Sequence, residues 1–293
     1  MITRRSFLRG AAVLGASGLG TGLYTWRVEP HWVEFVRRSL PIPGLPPALQ
    51  GATLVQVSDL HVGPRVDEDY LIDTLRKVAE VQPDIVAITG DFVSYQSARE
   101  ERDLDRVLAA LPHGRLATLA SLGNHDSGPG WAFPEIADRI ARVVAGRGIQ
   151  ILRNELTVVA GLQFAGLEDI WTPTWEPEPV LRSLDPALPT VVLSHNPDAV
   201  DLPVWQGFRG WILAGHTHGG QCKPPFLPPP ILPVRNKRYT QGEIDLGDGR
   251  RLYINRGLGH LIQVRFNVRP EVTVFTLSEA VLSEWSARGA AFA

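Results

Sequence analysis

The 293-residue chain is 44% hydrophobic and 20% charged, a balance that supports a large buried core and excludes a disordered or fibrous protein. Its 29 Lys and Arg against 31 Asp and Glu leave a net charge of −2, so no basic field exists to hold a nucleic-acid backbone, and dedicated nucleic-acid binding is not expected. The single cysteine, Cys222, rules out an internal disulfide framework and a multi-thiolate zinc site. Any metal must therefore be held by His, Asp, Asn or Glu.

In chain order, Thr3, Arg4, Arg5, Ser6, Phe7, Leu8 and Arg9 come first, followed by an uncharged Gly/Ala-rich stretch from Ala11 to about Trp26. This segment, 1–26, resembles a twin-arginine (Tat) export signal. Its apolar run is short for a bilayer span and no clean Ala-x-Ala cleavage site follows it, so removal and retention as an anchor both stay open. Export of this kind carries folded proteins, which implies a cofactor inserted beforehand and a location in the periplasm or on the outer face of the cytoplasmic membrane. Residues 27–50 read as a lead-in or linker. The main domain is expected over 51–280, with 281–293 as a C-terminal tail.

Within the domain, Thr53 to Val57, Asp84 to Thr89 and Leu116 to Leu122 are apolar β-type runs, separated by helical spacing over Asp67 to Val81, Asp103 to Leu111 and Phe133 to Ala145. The pattern then becomes strand-rich: Ile149 to Leu152, Leu156 to Val159, Leu162 to Gly166, Thr190 to Ser194, Trp211 to Ala214, Tyr239 to Leu246, Arg251 to Asn255 and Val272 to Leu277. Asp248-Gly249 marks a hairpin. The order predicts an α/β fold with two packed sheets and helices outside.

The polar residues fall where these buried runs stop. Asp59 and His61 follow the first, Asp91 the second, Asn124 and His125 the third; His195 follows Thr190 to Ser194, and His216 and His218 follow Trp211 to Ala214. In open α/β sheets ligands gather at the carboxyl ends of the strands, so residues distant in sequence converge on one rim. Taken singly, Asp59, Asp91 and Asp126 could be helix caps, Asn124 a turn residue, and Gly90, Gly123 and Gly215 turn glycines. Capping does not call for five of the chain's eight histidines in the same patches.

Ser58-Asp59-Leu60-His61, Gly90-Asp91, Gly123-Asn124-His125-Asp126, Ser194-His195-Asn196-Pro197 and Gly215-His216-Thr217-His218 stand in the order and approximate spacing of the calcineurin-like metallophosphoesterases. With Gly219-Gly220-Gln221, Asn255-Arg256-Gly257-Leu258-Gly259 and Arg269-Pro270-Glu271, the chain is similar to the bacterial subgroup that contains Tat-exported phosphoesterases. The resemblance spans about Thr53 to Leu277. It implies a four-layer α/β/β/α sandwich with two mixed β-sheets and a phosphoesterase that attacks phosphorus through a hydroxide bridging two divalent metals. It further implies a first metal on Asp59, His61, Asp91 and His218 and a second on Asp91, Asn124, His195 and His216. His125 is implied to assist the leaving oxygen, with Asp126 orienting it. Oxygen donors mixed with imidazoles suit Mn, Zn or Fe, and two cations sharing a carboxylate can grip one phosphoryl group.

The expected partners are a phosphate ester and the Tat translocase. Trp171, Trp175 and the apolar loop Pro224 to Pro233 either rim the pocket and touch lipid or fold back onto the domain. Arg65, Lys223 and Arg256 are within the span that could reach phosphate, with surface solvation as the alternative, and Cys222 reads as a packing residue. Two other functions stay open: a UDP-2,3-diacylglucosamine-type lipid pyrophosphatase, and a non-catalytic metal-binding envelope module.

Overall fold

The computed structural model describes residues 3–95 and 97–280; the tail expected at 281–293 lies outside them. Five almost continuously buried runs become parallel strands because successive side chains point to opposite faces and both faces are covered. In β2 (Thr53–Val57), β3 (Ile85–Thr89) and β4 (Ala117–Ser121), Leu54, Ile85, Ala87 and Leu119 face a layer shared with the second sheet. Val55, Val57, Val86, Ile88 and Ala120 face the helices. β8 (Thr190–Leu193) and β9 (Gly210–Ala214) repeat this, with Val191, Leu193, Trp211 and Leu213 inward and Val192, Ile212 and Ala214 outward.

The first sheet is completed by β1 (Glu34–Ile42), β5 (Gln150–Ile151) and β12 (Glu271–Glu279) in the order β1-β12-β2-β3-β4-β5. β12 runs antiparallel to β2 and the remaining pairs are parallel. The second contains β6 (Glu155–Val159), β7 (Leu162–Gly166), β10 (Gly242–Asp245) and β11 (Arg250–Ile254) in the order β10-β11-β9-β8-β7-β6. Its two outer pairs are antiparallel and its inner pairs parallel. Helices α2 (Glu68–Val78), α3 (Arg99–Leu108) and α4 (Pro134–Gly146) cover the first sheet. α5 (Pro177–Arg182) and the segment around Trp205 cover the second. This is the expected arrangement of two mixed sheets with helices outside.

α2 shows how local chemistry sets an element. Asp67 caps it by accepting from the Tyr70 amide at 3.0 Å, Glu68 and Asp69 sit in the first turn, and Arg76 and Lys77 in the last. Each charge thus meets the favourable end of the helix dipole, while Leu71, Leu75 and Val78 form the buried face.

Two expectations need correction. The lead-in 27–50 contains β1, which pairs with β12 over nine residues, from Glu34↔Glu271 to Ile42↔Glu279. The second expected helix pattern begins earlier than read, at Arg99 rather than Asp103. At the N-terminus, α1 (Arg4–Leu23) is exposed throughout, and among the described residues no helix is long and apolar enough to cross a membrane. Its end is fastened to the domain: the Arg265 amide donates to the Thr25 carbonyl at 3.0 Å, and the Val268 amide to buried Glu29 at 2.7 Å.

Candidate metal centre

The carboxyl ends of β2, β3 and β4 meet those of β8 and β9, and the loops that leave them are tied together before any side chain is considered. Asp59 and His61 amides donate to the carbonyls of Gly90 and Asp91, each at 3.0 Å, and the Gly215 amide donates to the His195 carbonyl at 3.0 Å. Gln56 bridges the sheets, donating to Ala214 O at 2.9 Å and Thr89 Oγ1 at 3.0 Å. Glycines leave the space these loops need. A Cβ on Gly215 would collide with Ser58 Oγ and the Asp59 carboxylate, and one on Gly123 with Asp91.

Asp59, His61, Asp91, His216 and His218 all adopt left-handed backbone, with φ of 52°, 48°, 53°, 70° and 50°. Non-glycine residues pay about 1–3 kcal/mol each for such conformations and keep them only where the surroundings dictate them. Here five coincide on one rim, and each turns a side chain toward the same point.

Two buried triads result, Asp59-His61-His218 and Asp91-His195-His216, the ligand atoms of each within 4.8 Å of one another. Asp91 lies between them, its Oδ2 at 3.4 Å from His61 Nε2 and 3.1 Å from His195 Nε2. His61 Nε2 and His218 Nε2 are 3.0 Å apart, and Asp59 Oδ1 is 3.3 Å from His218 Nε2. Carbonyl acceptors fix the tautomers, because an oxygen acceptor requires the proton on the nitrogen facing it. His195 Nδ1 donates to Thr89 O at 2.7 Å and His218 Nδ1 to Gly259 O at 3.2 Å, which turns both Nε2 lone pairs inward. His216 is reversed: Nε2 donates to Pro233 O at 2.9 Å, leaving Nδ1 for the centre.

The residues fit a pair of divalent cations on an observation independent of any resemblance. His195 Nε2 and both amide atoms of Asn124 are buried without a hydrogen-bond partner, which is costly unless something else pairs with them. A cation is the partner that satisfies an amide oxygen and an imidazole lone pair together. Charge in the centre follows the same geometry. Burial opposes ionisation of Asp59 and Asp91, yet positive charge on the neighbouring imidazoles, His218 and His195 foremost, outweighs it and holds both carboxyls below the usual range, while Asp91 raises His195 in turn; a bound cation takes the place of that imidazole proton. Burial pulls His61 well down and His216 to about 3, keeping them neutral as metal ligands must be.

His125 stands apart from the triads. Its amide is fixed on Asp91 Oδ1 at 2.9 Å, and its half-buried ring sits edge-on to His61, with centroids 5.1 Å apart, at the floor of a cavity of about 480 Å³. Asp126 does not orient this ring. Its Oδ1 accepts from the Phe92 and Val93 amides at 2.8 and 3.2 Å and its Oδ2 from the Gly123 amide at 2.8 Å; among the described residues no hydrogen bond joins it to His125. The carboxylate is drawn to backbone amides behind the centre, where it locks the loop after β4 to the loop after β3. Trp171 lines the cavity and stacks on Trp131 at 4.6 Å, whereas Trp175 packs into the outer layer of the second sheet. Arg256 is engaged by Glu271 and Glu34, and Arg65 by the Leu261 carbonyl.

Residue-by-residue reading of the sequence misses Arg265. Fully buried, it donates to the carbonyls of Arg256, Gly257, Gly259 and Val268 at 3.0, 3.2, 2.7 and 3.2 Å. Burial lowers its guanidinium to about 10. By fixing the Gly259 carbonyl it sets the orientation of His218.

The calcineurin-like phosphoesterase family model matches residues 52–220, a span that holds every residue of both triads. The chain belongs to the calcineurin-like phosphoesterases. As a member it is a hydrolase of phosphate esters that uses two divalent metal ions, and its two triads are the matching groups. Phosphodiesterase YaeI of Escherichia coli (strain K12) is 32% identical over 94% of this chain and 100% of its own length. Uncharacterized metallophosphoesterase YkuE of Bacillus subtilis (strain 168) is 34% identical over 94% and 98%. More distant is UDP-2,3-diacylglucosamine pyrophosphatase LpxG of Chlamydia muridarum (strain MoPn / Nigg), 25% identical over 87% and 92%.

Proposed function

We propose that this phosphoesterase cleaves phosphodiesters outside the cytoplasm, with one ion held by Asp59, His61, Asp91 and His218 and a second by Asp91, Asn124, His195 and His216. The observation that carries this reading is the Asp91 carboxylate set between His61 and His195, with Asn124 and His195 Nε2 buried and unpaired at its side. When bound, two divalent ions such as Mn, Zn or Fe would supply Lewis acidity and a water of lowered pKa. The protein's own groups do the rest. Asp59 and Asp91 set the negative charge, the carbonyls of Thr89, Gly259 and Pro233 hold the imidazoles in the required tautomers, and His125 faces the cavity as the proton donor to the leaving oxygen.

The cavity supports diesters over monoesters. No Lys or Arg is among its lining residues, so the walls offer nothing to match the second negative charge of a monoester. The name of the Escherichia coli relative points the same way. Export through the Tat translocase is supported by Arg4 and Arg5 on the fully exposed α1, and membrane contact by the exposed apolar side chains Phe226, Leu227 and Ile231. A lipid pyrophosphatase activity is the second reading, favoured by the likeness to LpxG.

The test is hydrolysis by the metal-loaded protein of bis-p-nitrophenyl phosphate against p-nitrophenyl phosphate, beside a His125→Ala variant. The diester is expected to be the better substrate. The variant is expected to keep both ions while losing about 10²–10⁴-fold in turnover. Unchanged turnover in the variant, or metal-loaded protein inert toward both esters, contradicts the assignment.

A further inference from the structure

The cavity that opens from the triads differs in chemistry from the centre at its floor. Above His125, His216 and His218 its walls are Trp131, Trp171, Leu261, Ile262, Val264 and Ile231. Two of the polar side chains among its lining residues are turned to backbone carbonyls. Gln221 Nε2 donates to the carbonyls of Ile262 and Val264 at 2.8 and 2.9 Å, and Thr217 Oγ1 to that of Thr240 at 2.6 Å. A ligand lying along these walls therefore meets mainly apolar surface and aromatic faces, with no charged side chain above the floor.

The apolar lining also continues outward. Ile231 and Ile262 are 73% and 64% exposed although both line the cavity, and the segment that carries Ile231 also exposes Phe226 and Leu227 at 106% and 59%. The two loops carrying these residues are held together by Gln221 and by the Cys222↔Phe266 bridge. The segments are thus tied at their base, and an apolar path lines the cavity from its floor to the exposed edge at Ile231 and Ile262.

We propose that this path is a subsite for an alkyl or acyl chain, so that the preferred substrate is a phosphodiester bearing a long hydrocarbon group on one side of phosphorus. The proposal rests on the phosphodiesterase reading and names its substrate class. At about 480 Å³, the cavity is within the range of small-molecule sites, roughly 300–1,000 Å³. Burial of each methylene along such walls gains about 0.8 kcal/mol, or roughly fourfold in kcat/KM, until the chain reaches the rim.

The experiment is a kcat/KM series for the metal-loaded full chain on p-nitrophenyl alkyl phosphodiesters from methyl to octyl, kept below micelle-forming concentrations. A second readout is the calorimetric Kd of the matching non-hydrolysable alkyl phosphonates. Both are expected to improve by roughly threefold to fourfold per methylene over the first several carbons. An Ile231→Ser/Ile262→Ser double variant, altering two exposed side chains, is expected to flatten both slopes. Equal kcat/KM and Kd for methyl and octyl compounds overturn the subsite while leaving the hydrolase standing, as does faster cleavage of p-nitrophenyl thymidine 5′-phosphate than of the octyl ester. Absence of turnover on every ester overturns the hydrolase reading and the subsite with it.

Discussion

At the scale of single residues, the centre depends on side chains that are absent as much as on those present. Because a Cβ at Gly215 would meet Ser58 Oγ and the Asp59 carboxylate, Gly215→Ala is expected to displace Asp59. Elemental analysis should find less than half of the parent's metal on the variant, which otherwise folds; full occupancy contradicts the close fit. A second residue reports on acid stability. Burial lowers His260 to about 4 from the ordinary 6.5, its Nε2 donating to Arg65 O at 2.9 Å. The unfolded chain takes up this proton more readily, so the contribution of the neutral ring is complete above pH 6.5 and is lost as pH falls toward 4. It amounts to about 3 kcal/mol. Urea unfolding of His260→Asn beside the parent at pH 7 and pH 4.5 should show the smaller acid-induced loss in the variant. The triad residues are legible in sequence because their chemistry is carried by side-chain type and by position after a buried run. The roles of Asp126 and Arg265 are not, because carboxylates and guanidiniums that bind backbone groups leave no mark of which backbone groups will be near.

At the scale of elements, the strands that carry the site announce themselves through continuous apolar runs, since parallel strands covered on both faces need nothing else. β1 does not. Arg37, Arg38 and Ser39 are exposed at the sheet edge and Pro41 interrupts the pattern, while the strand's partner, β12, lies more than 200 residues away in sequence. α5 is equally silent, being six residues long with prolines at Pro177 and Pro179. β1 nevertheless belongs to the core: Leu40 is fully buried in the layer between the sheets. Leu40→Ala is expected to cost about 2–5 kcal/mol in denaturant unfolding. A loss below about 1 kcal/mol would mean that the strand is an ornament on the sheet.

At the scale of the molecule, the first sheet supplies Asp59, His61 and Asp91, and the second His195, His216 and His218. Each triad therefore takes ligands from both sheets. The inter-sheet layer, from Leu54 and Ile85 on one side to Val191 and Trp211 on the other, fixes the distance across which the ions must be held, and the centre in turn clamps the sheets at one edge. Asp91 is the residue common to both halves of this clamp. The most direct measurement is metal content per chain after manganese loading and gel filtration, for the parent and for Asp91→Ala. The account predicts two ions per chain in the parent and fewer than one in the variant. One ion or none in the parent, or two in the variant, would contradict it.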